Sequence, residues 1–598
     1  MDLKNNIYVV SLTHWDREWR FPFEKTRMLL VEMMDNVLEL LDKDPDYNCF
    51  HLDGQTILLE DYCEVRPENA DKISQYVKAG RLLIGPWYLL PEENQMSGES
   101  LVRNFLWGER IGRKYGGNMK VGYSPTSWGQ VSQMPQIMKG FDVDSIIFYR
   151  GISPDQSPDN FYTWEGPDGS SILGIRLGDF ARVGFFHLVD RAVVFNRYWG
   201  DDSHQWNQGG KPFRLSGSGS ATPYEFHQPP NGWHPENIEQ SLETLENEDL
   251  GEWMTPWALS CECDDCTGPF VFVPKIIKEA NTLISNGKEI KQGSLPEFVA
   301  MAREHLNENE LTVLRGEMRS SQKAGKWTDI YAEIQSSRIP TKYINRQMEC
   351  LLQRTAEPLG TMAWMLGREY PIFSLDRANR LLLQNHAHDS IGGCGRDAVD
   401  NDVRYRFGQI EIIAQGITSA AALEIAGRID TGDVASNEVL LVVFNNLPRK
   451  SNHIAQTEID FDRESNIKGF KVCEMDGTEL VVQTLSCSNA EAIFNHPYEV
   501  PCRMSSDRWE LFFEANDVPA MGYKVFRVIP MEGEYRHEGT MLVAPTSMAN
   551  EYLEVQVNPN GTVDVASKET ARNSTIEHLE KKPSSLPRGH KKRHQILL

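Results

Sequence analysis

The chain has 598 residues, of which 40% are hydrophobic, 24% are charged and 10% are aromatic, and its formal net charge is -24. A chain of this length exceeds what one hydrophobic core supports, so we expect about two to four domains. The acidic balance argues against nucleic acids and anionic membrane surfaces, which need a basic protein face. An uncharged small-molecule substrate fits this charge better.

No segment approaches the roughly 18–20 consecutive apolar residues of a membrane-spanning helix. The first apolar run is short and follows a polar leader, so we expect no signal peptide and a cytoplasmic protein. The 10 cysteines of such a chain would stay reduced. Three of them fall in the sequence CECDDC at residues 261–266. A zinc knuckle needs a second pair of ligands, and none is nearby.

Strand-like and helix-like segments alternate over residues 1–150. Continuous apolar runs predict strands at residues 7–12, 49–55, 81–88, 119–124 and 144–150. Helical spacing of apolar residues predicts helices at 24–43, 56–65, 70–79, 101–115 and near residue 135. This alternation is typical of parallel βαβ units in an α/β sheet or barrel.

Polar and aromatic clusters follow the predicted strands. The sequences THWDREW, LDGQ, GPWYLLPEE, SPTSWGQ and YRG each lie where a strand is expected to end. Ligands bind at the carboxyl ends of the strands in α/β folds. We therefore expect these clusters to meet on one rim and to form the functional site.

After the strand and helix alternation, the chain has a long Gly- and Pro-rich segment, then a helical pattern and then a β-like pattern. The last segment is basic and loses strand patterning. We interpret it as a truncation or frameshift rather than a disordered tail, because a partial sheet exposes its edges. The predicted domains are an α/β catalytic barrel at 1–260, a helical bundle at 261–428, a linker at 429–436, the start of a β-sandwich at 437–571 and an atypical basic tail at 572–598.

Two blocks carry residue types that bind metals. His14 and Asp16 form an H-x-D pair at a strand end, where alternate side chains point the same way. Imidazole with carboxylate suits zinc, although a hydrogen-bonded structural corner is the alternative. The second block, NHAHDSIGGC at residues 385–394, holds two histidines and an aspartate. Its alternative is a helix C-terminus whose dipole favours histidine.

Several blocks together resemble glycoside hydrolase family 38, the zinc-dependent retaining α-mannosidases, in particular those of bacteria. The resemblance runs in order from about residue 7 to residue 405 through THWDREW, LDGQTILLEDY, GRLLIGPWY, SGESLVRN, SWGQVSQMPQIMKGF, FYRG, SSRIPTKYINRQMECLLQRTAEPL and NHAHDSIGGC. It implies a seven-stranded α/β barrel, a three-helix bundle, large β domains and one catalytic Zn2+ per chain. It also implies a mannoside substrate, small or oligosaccharide, and makes a homodimer a candidate assembly.

The resemblance assigns roles to individual residues. It implies that the metal ligands are His14, Asp16 and His388, with the position of Thr126 as the fourth. It implies substrate-binding roles for Trp19 on the floor of the mannose subsite, for Trp128 beside it, for Arg150 near the nucleophile, for Asp389 at a sugar hydroxyl, and for Trp87. Asp53 lies in a matching block and receives no role.

The sequence departs from the family at Thr126. The family loop reads P-D-[ST]-[FW]-G, and its Asp is both nucleophile and zinc ligand, whereas this chain reads PTSWG at residues 125–129. A threonine hydroxyl is a poor nucleophile without an adjacent base, and it is a weaker zinc ligand than a carboxylate. The change is an engineered knock-out, a natural lesion, or a replacement by Glu262, Asp264 or Asp265; we favour an inactivating change.

The second catalytic carboxyl is expected in the block WALSCECDDCTGPF. A retaining glycosidase needs a nucleophile and an acid/base about 5–5.5 Å apart. Asp264 and Asp265 are the candidates for the acid/base, and an exposed acidic turn is the alternative reading of both. The predicted function is an α-mannosidase-like hydrolase acting on N-glycan fragments or on small mannosides such as mannosylglycerate. A catalytically dead mannoside-binding protein and a metal-dependent hydrolase of another bond are the alternatives.

Overall fold

The computed structural model describes residues 1–200, 211–214, 224–227, 232–322, 325–494, 500–535, 541–570 and 573–576. The chain divides into two compact units. The first comprises Met1–Leu352 and Phe373–Ile413, and the second comprises the described residues of Gln353–Ile372 and Ala414–Leu598. Among the helices of these ranges, none has the length and apolar character needed to cross a membrane.

Short strands alternate with helices as far as residue 315. The strands are β1 Asn6–Ser11, β2 Phe50–His51, β3 Leu82–Leu83, β4 Gly122–Tyr123, β5 Ser145–Phe148, β6 Phe161–Glu165, β7 Ser171–Arg176, β8 Lys211–Arg214, β9 Tyr224–His227, β10 Trp257–Glu262, β11 Ile290–Gln292 and β12 Val313–Arg315. The helices are α1 Phe23–Lys43, α2 Ile57–Cys63, α3 Ala70–Lys78, α4 Gly98–Tyr115, α5 Met134–Lys139, α6 Arg191–Phe195, α7 Ile238–Leu245, α8 Val273–Leu283 and α9 Leu295–His305.

Helices and then strands make up the remainder of the chain. The helices are α10 Ile339–Leu351, α11 Glu357–Met365, α12 Ile372–Asn385, α13 His388–Gly392 and α14 Asp397–Ala426. The strands are β13 Val439–Asn445, β14 Ser451–Asp462, β15 Gly469–Glu474, β16 Val482–Phe494, β17 Cys502–Val518, β18 Gly522–Met531, β19 Leu542–Ala544, β20 Ser547–Ala549, β21 Leu553–Val557, β22 Val563–Ser567 and β23 Asn573–Ile576.

The first unit confirms the predicted α/β class, but its described strands do not close a seven-stranded barrel. Strand β1 lies between β10 and β11, all parallel, while β12, β6, β7, β5 and β4 form a second sheet and β2 pairs with β3. The ladders of β2–β3 and β4–β5 join only two residue pairs each. Such short ladders leave gaps between the sheets, so the ring of strands remains open.

The boundary predicted after residue 260 needs correction. Strand β10 pairs with β1 as far as Glu262 opposite Ser11, and β11 pairs with the other edge of β1. Strand β12 then pairs with β6. Long-range pairing therefore extends the α/β part beyond residue 260, into the stretch predicted to be a helical bundle. The helices that follow from α10 onward lie within the predicted helical range.

The second unit contains two three-stranded antiparallel sheets, β13–β18–β15 and β14–β17–β16. Apolar side chains from both sheets form one core, including Val443, Phe470, Leu511 and Phe526. Strands β19 to β23 form a separate five-stranded sheet in chain order. Of the basic tail predicted at 572–598, only residues 573–576 are described, and the rest of that prediction lies outside the described residues.

A buried acid in the first unit makes the stability of the protein depend on pH. The Asp190 carboxyl group is 2% exposed, and its burial raises the pKa to about 7. The linkage between protonation of Asp190 and folding therefore stabilises the folded protein fully below the unfolded pKa of about 3.9. This stabilisation is lost as the pH rises towards 7. Asp190→Asn, which stays neutral, should remove up to about 1.4 kcal/mol per pH unit of this slope.

Urea unfolding of both proteins between pH 5 and pH 7 measures this difference. The exposed Asp46 provides the matched control, because Asp46→Asn should leave the slope unchanged. If the stability curves of the Asp190→Asn protein and the unaltered protein run parallel through this window, the carboxyl group of Asp190 is not protonated in the folded state.

Candidate metal centre

Three ligand-type side chains meet beyond the end of β1. His14 Nε2 lies 3.0 Å from Asp16 Oδ1, and His388 Nε2 lies 3.2 Å from the same oxygen. One donor atom from each residue lies within 4.8 Å of the others, and all three residues are buried. They are the only such group of three or more among the described residues. Two imidazoles and a carboxylate at this spacing can hold a metal ion.

Local backbone contacts bring the two halves of this group together. Residues 12–14 continue from β1 and donate backbone hydrogen bonds to Glu262, His51 and Asp264 in turn. His388 opens α13, and its backbone N–H donates to Leu90 O at 3.2 Å. The segment after β3 therefore positions His388 close to His14. This agrees with the prediction that the polar clusters after the strands meet on one rim.

Asp53 orients the imidazole of His14. Its Oδ2 lies 2.8 Å from His14 Nδ1 and also accepts hydrogen bonds from Trp15 N and Gln55 Nε2. This contact fixes the ring so that Nε2 faces Asp16. Carboxylate partners of this kind set the orientation and basicity of metal-bound histidines. The sequence placed Asp53 correctly after β2, but nothing in it indicated this role.

Electrostatic interactions within the group shift the pKa values of Asp16 and His14. Burial raises the pKa of Asp16, but His14 and His388 outweigh it and hold that pKa well below its usual range. Burial and Arg182 lower the pKa of His14, but Asp53 and Asp16 outweigh them and the net pKa is raised. An ionised carboxylate thus lies between two basic imidazoles. A divalent cation would replace the imidazole protons in this role.

Asp53→Asn is expected to weaken metal binding by about 10–100-fold, the usual cost of losing a partner behind a ligating histidine. The amide keeps the shape of the side chain but removes the negative charge beside His14. Competition against a chromophoric chelator measures the affinity. Asp46→Asn is the matched control, since Asp46 is exposed and lies elsewhere on the surface. Equal affinities for the Asp53→Asn and Asp46→Asn proteins would contradict the orienting role.

The loop that carries Thr126 approaches this group through Trp128. Thr126 is buried, and its Oγ1 has no hydrogen-bond partner. Arg150 Nη1 donates to Thr126 O at 3.2 Å, so Arg150 lies beside the expected nucleophile position. The ring of Trp128 lies 5.7 Å from that of His388. A methyl group at Gly392 would come within 2.6 Å of the Trp128 ring, which shows how closely α13 approaches this loop.

Two buried glutamates that the sequence reasoning missed hold this loop in place. Glu92 Oε2 accepts a hydrogen bond from Trp128 N at 2.8 Å, and Glu93 accepts from Val131 N and Ser124 Oγ. Burial raises the pKa of Glu92 and raises that of Glu93 to about 8. The two residues belong to the GPWYLLPEE cluster, whose position after a strand was the only signal for them.

The candidate acid/base residues differ in position. Asp265 lines a cavity of about 190 Å³ together with Asp16 and Trp19, and its Oδ1 accepts a hydrogen bond from Arg182 Nη2 at 2.5 Å. Burial acts to raise the pKa of Asp265, but Arg182 outweighs it, so this pKa lies below its usual range. Asp264 is not among the residues that line this cavity, and burial raises its pKa.

Two of the residues considered from the sequence pack in the interior. Trp87 is fully buried, its Nε1 donates to Tyr123 O at 3.0 Å, and its ring lies 4.2 Å from that of Phe105, so it packs in the core. Glu262 is fully buried, and its main charged neighbour is Asp190 rather than the metal group. It cannot replace the missing carboxylate at residue 126. The CECDDC thiols form no further metal-binding group in the part of the chain that the structure describes.

Two segments of the chain match models of glycosyl hydrolase family 38. Residues 4–180 match the profile of the "Glycosyl hydrolases family 38 N-terminal domain", and residues 326–425 match that of the "Alpha mannosidase middle domain". These two segments are thus similar to that family, as the sequence blocks predict.

Individual relatives agree with this assignment. A Halalkalibacterium halodurans protein named "Putative mannosylglycerate hydrolase" is 27% identical over 95% of this chain and 61% of its own length. The crystal structure of an α-mannosidase from Enterococcus faecalis V583 superposes with a TM-score of 0.76 at 26% identity, over 96% of this chain and 61% of that one. An α-mannosidase of Saccharomyces cerevisiae is 30% identical over 28% of this chain and 16% of its own length. The chain spans about three fifths of the first two relatives.

Proposed function

We propose that this chain binds α-mannosides at a zinc centre formed by His14, Asp16 and His388, and that its hydrolytic step is impaired by Thr126. The observation that carries the proposal is the buried group of two imidazoles and one carboxylate at a rim of strand ends. Two nitrogen donors and one oxygen donor suit zinc. When bound, the ion would act as a Lewis acid that binds and orients sugar hydroxyls.

The chain's own residues would fix the sugar around this centre. Trp19 lines the cavity beside Asp16, and aromatic faces pack against the apolar side of a sugar ring. Trp128 would close the opposite side, next to His388. Asp389, whose Oδ2 accepts no hydrogen bond from the protein, would accept one from a sugar hydroxyl.

Asp265 is the better candidate for the acid/base of a retaining reaction. Position decides before acidity, because the group must reach the glycosidic oxygen, and Asp265 lines the cavity. Its depressed pKa keeps it ionised in the free protein. It would therefore have to take up a proton before it could protonate the leaving group in the first step, and it would act in its ionised form as the base of the second step. Asp264 would then serve as a turn residue, with its Oδ1 accepting the Asp265 N–H.

The substrate class follows from the relatives. The bacterial relative that matches almost the whole chain is named a mannosylglycerate hydrolase, which supports a small α-mannoside. An oligosaccharide mannoside is the alternative. A cytoplasmic location and a homodimer stay predictions from the sequence.

A second candidate function is mannoside binding without turnover. Thr126 favours it, because the family nucleophile position offers only a neutral hydroxyl that has no hydrogen-bond partner and hence no base beside it. Strong hydrolysis of an α-mannoside by the unaltered chain would eliminate this candidate.

Metal analysis and sugar binding test the proposal together. The unaltered protein should carry about one equivalent of zinc more than His14→Ala, because removing one ligand of three opens the shell. Isothermal titration should show that methyl α-mannoside binds in the presence of Zn2+, binds more tightly than methyl α-glucoside, and no longer binds after chelation. Equal zinc content in both proteins would remove His14 from the site, and a preference for the glucoside would overturn the substrate class.

A further inference from the structure

Arg176, the last residue of β7, is a buried arginine without a counter-charge. The residue is 7% exposed, and its Nε has no hydrogen-bond partner. Arg17 and Arg406 are buried to a similar degree, but each forms an ion pair with a carboxylate. Among the described residues Arg176 has no such ion pair, and burial lowers its pKa because the charge of Asp179 offsets only part of the cost. A buried guanidinium without an acceptor is costly, so this side chain lacks a partner that a ligand can supply.

The side chain of Arg176 lines a cavity of about 270 Å³. In the described part of the chain, no residue lines both this cavity and the one beside Asp16. Asp179 and Asn160 also line the second cavity. Arg176 N donates to Asn160 O at 2.8 Å, and Asn160 Nδ2 donates to Arg176 O at 3.1 Å. The backbone therefore fixes this wall of the cavity before any ligand binds.

Arg176 lies at the edge of the sheet that also carries the expected nucleophile position. Strands β5 and β7 are parallel, and Phe148 lies opposite Arg176 in their register. Arg150 follows Phe148 by two residues and donates to Thr126 O. Ligands of α/β folds bind at the carboxyl ends of such strands. The second cavity therefore belongs to the rim on which the mannose subsite is proposed.

The charges around this cavity favour a neutral ligand with several hydroxyl groups. An anion would be attracted by Arg176 but repelled by Asp179 and Glu252, which line the same cavity, and a cation would be repelled by Arg176. Glu248 also lines it, but Lys326 pairs with this carboxylate. A hydroxyl group both accepts and donates a hydrogen bond. Neighbouring hydroxyls of one sugar ring can therefore accept from the guanidinium and donate to the Asp179 carboxylate.

We propose that this cavity binds a second sugar unit of the mannoside whose terminal mannose occupies the proposed metal centre. This inference rests on the proposed function and deepens it, because it favours an oligosaccharide over a small mannoside as the substrate. Arg176 would donate to a hydroxyl oxygen of the second unit, and Asp179 would accept from a neighbouring hydroxyl. The sugar would thus supply the acceptor that the protein does not provide for Arg176.

Isothermal titration with an α-linked mannotriose and with methyl α-mannoside tests the inference. Arg176→Met keeps an unbranched side chain but removes the donors. It should bind mannotriose about 10–100-fold less tightly, the usual cost of losing a hydrogen bond to a charged group, while its affinity for methyl α-mannoside stays unchanged. Arg113→Met is the matched control, because the side chain of Arg113 is 77% exposed, and it should leave both affinities unchanged.

Thermal unfolding in the absence of sugar separates a binding role of Arg176 from a structural one. Arg176→Met should unfold at the same temperature as the unaltered protein or at a higher one, because it replaces a buried charge that has no partner by an apolar side chain. A markedly lower unfolding temperature would show that Arg176 stabilises the fold and would overturn the inference.

The two sugars also separate this inference from the proposed function. If methyl α-mannoside binds and Arg176→Met keeps the full affinity for mannotriose, or loses affinity for both sugars equally, this inference alone fails. A second equivalent of methyl α-mannoside that is lost in Arg176→Met would show a site for a separate sugar molecule, which would overturn the assignment to one oligosaccharide. If methyl α-mannoside does not bind but mannotriose binds in a way that depends on Arg176, the mannose subsite at the metal centre fails and the second sugar site is supported.

Discussion

Thr126→Asp is expected to raise the rate of aryl α-mannoside hydrolysis by on the order of 10³-fold or more, since removing a nucleophile commonly costs at least this much. The substitution supplies the second carboxyl group that a retaining reaction needs. The site can accept it, because Thr126 Oγ1 makes no hydrogen bond that would be lost. Arg150, whose Nη1 already contacts the Thr126 carbonyl oxygen, provides a positive charge beside the new carboxylate.

Thr126→Asn is the control that distinguishes the effect of a nucleophilic carboxylate from the effect of side-chain size. The amide matches aspartate in size but cannot form the glycosyl ester, so it should leave the rate at the level of the unaltered chain. Release of the aryl group at saturating substrate, with and without a chelator, measures all three proteins. If aspartate and asparagine give the same rate, residue 126 does not occupy the nucleophile position and the alignment of this loop is wrong.

Glu18→Ala is expected to lower the free energy of unfolding of the first unit by about 3–5 kcal/mol, the cost of breaking a buried ion pair by removing one partner. Glu18 is 1% exposed and pairs with Arg406, with Oε2 3.2 Å from Nη1, and its Oε1 accepts a hydrogen bond from Ser390 Oγ at 2.6 Å. The substitution leaves the guanidinium of Arg406 buried without this counter-charge. It also frees α13, which begins at His388.

The exposed pair of Glu39 and Lys43 provides the control. Glu39→Ala removes an ion pair between side chains that are more than half exposed, so it should cost no more than about 0.5 kcal/mol. Urea unfolding followed by near-ultraviolet circular dichroism measures both variants, and metal affinity provides a second readout of α13. Coincident urea midpoints for the two variants would show that the buried pair stabilises the unit no more than a surface pair does.

Local signals in the sequence predicted the helices well. The apolar positions of α1 recur at helical spacing, and the helix runs from Phe23 to Lys43 against a predicted range of 24–43. Strands were harder, because β11 and β12 are three residues long and their sequences IKQ and VLR carry no strand pattern of their own. They become strands only by pairing with β1 and β6, and that pairing is not a local property.

The same distinction explains the site. His14, Asp16 and His388 were recognisable because their residue types bind metals. Asp53 and Glu92 were not, because each acts through a partner distant in the sequence, His14 and Trp128 respectively. Trp87 was misplaced because an aromatic residue after a strand can face either the core or the rim. Successive side chains of an extended segment point to opposite faces, so a shift of one position decides whether the residue faces the core or the rim.

The contact between Trp128 and Gly392 has a consequence for how this chain can diverge. A side chain at residue 392 would displace the indole, so the loop and α13 constrain each other although they lie far apart in the sequence. The side chain of residue 126 is not one of the two partners in this contact. Residue 126 can therefore change without altering the packing of Trp128 against α13, whereas a side chain at residue 392 would alter that packing directly.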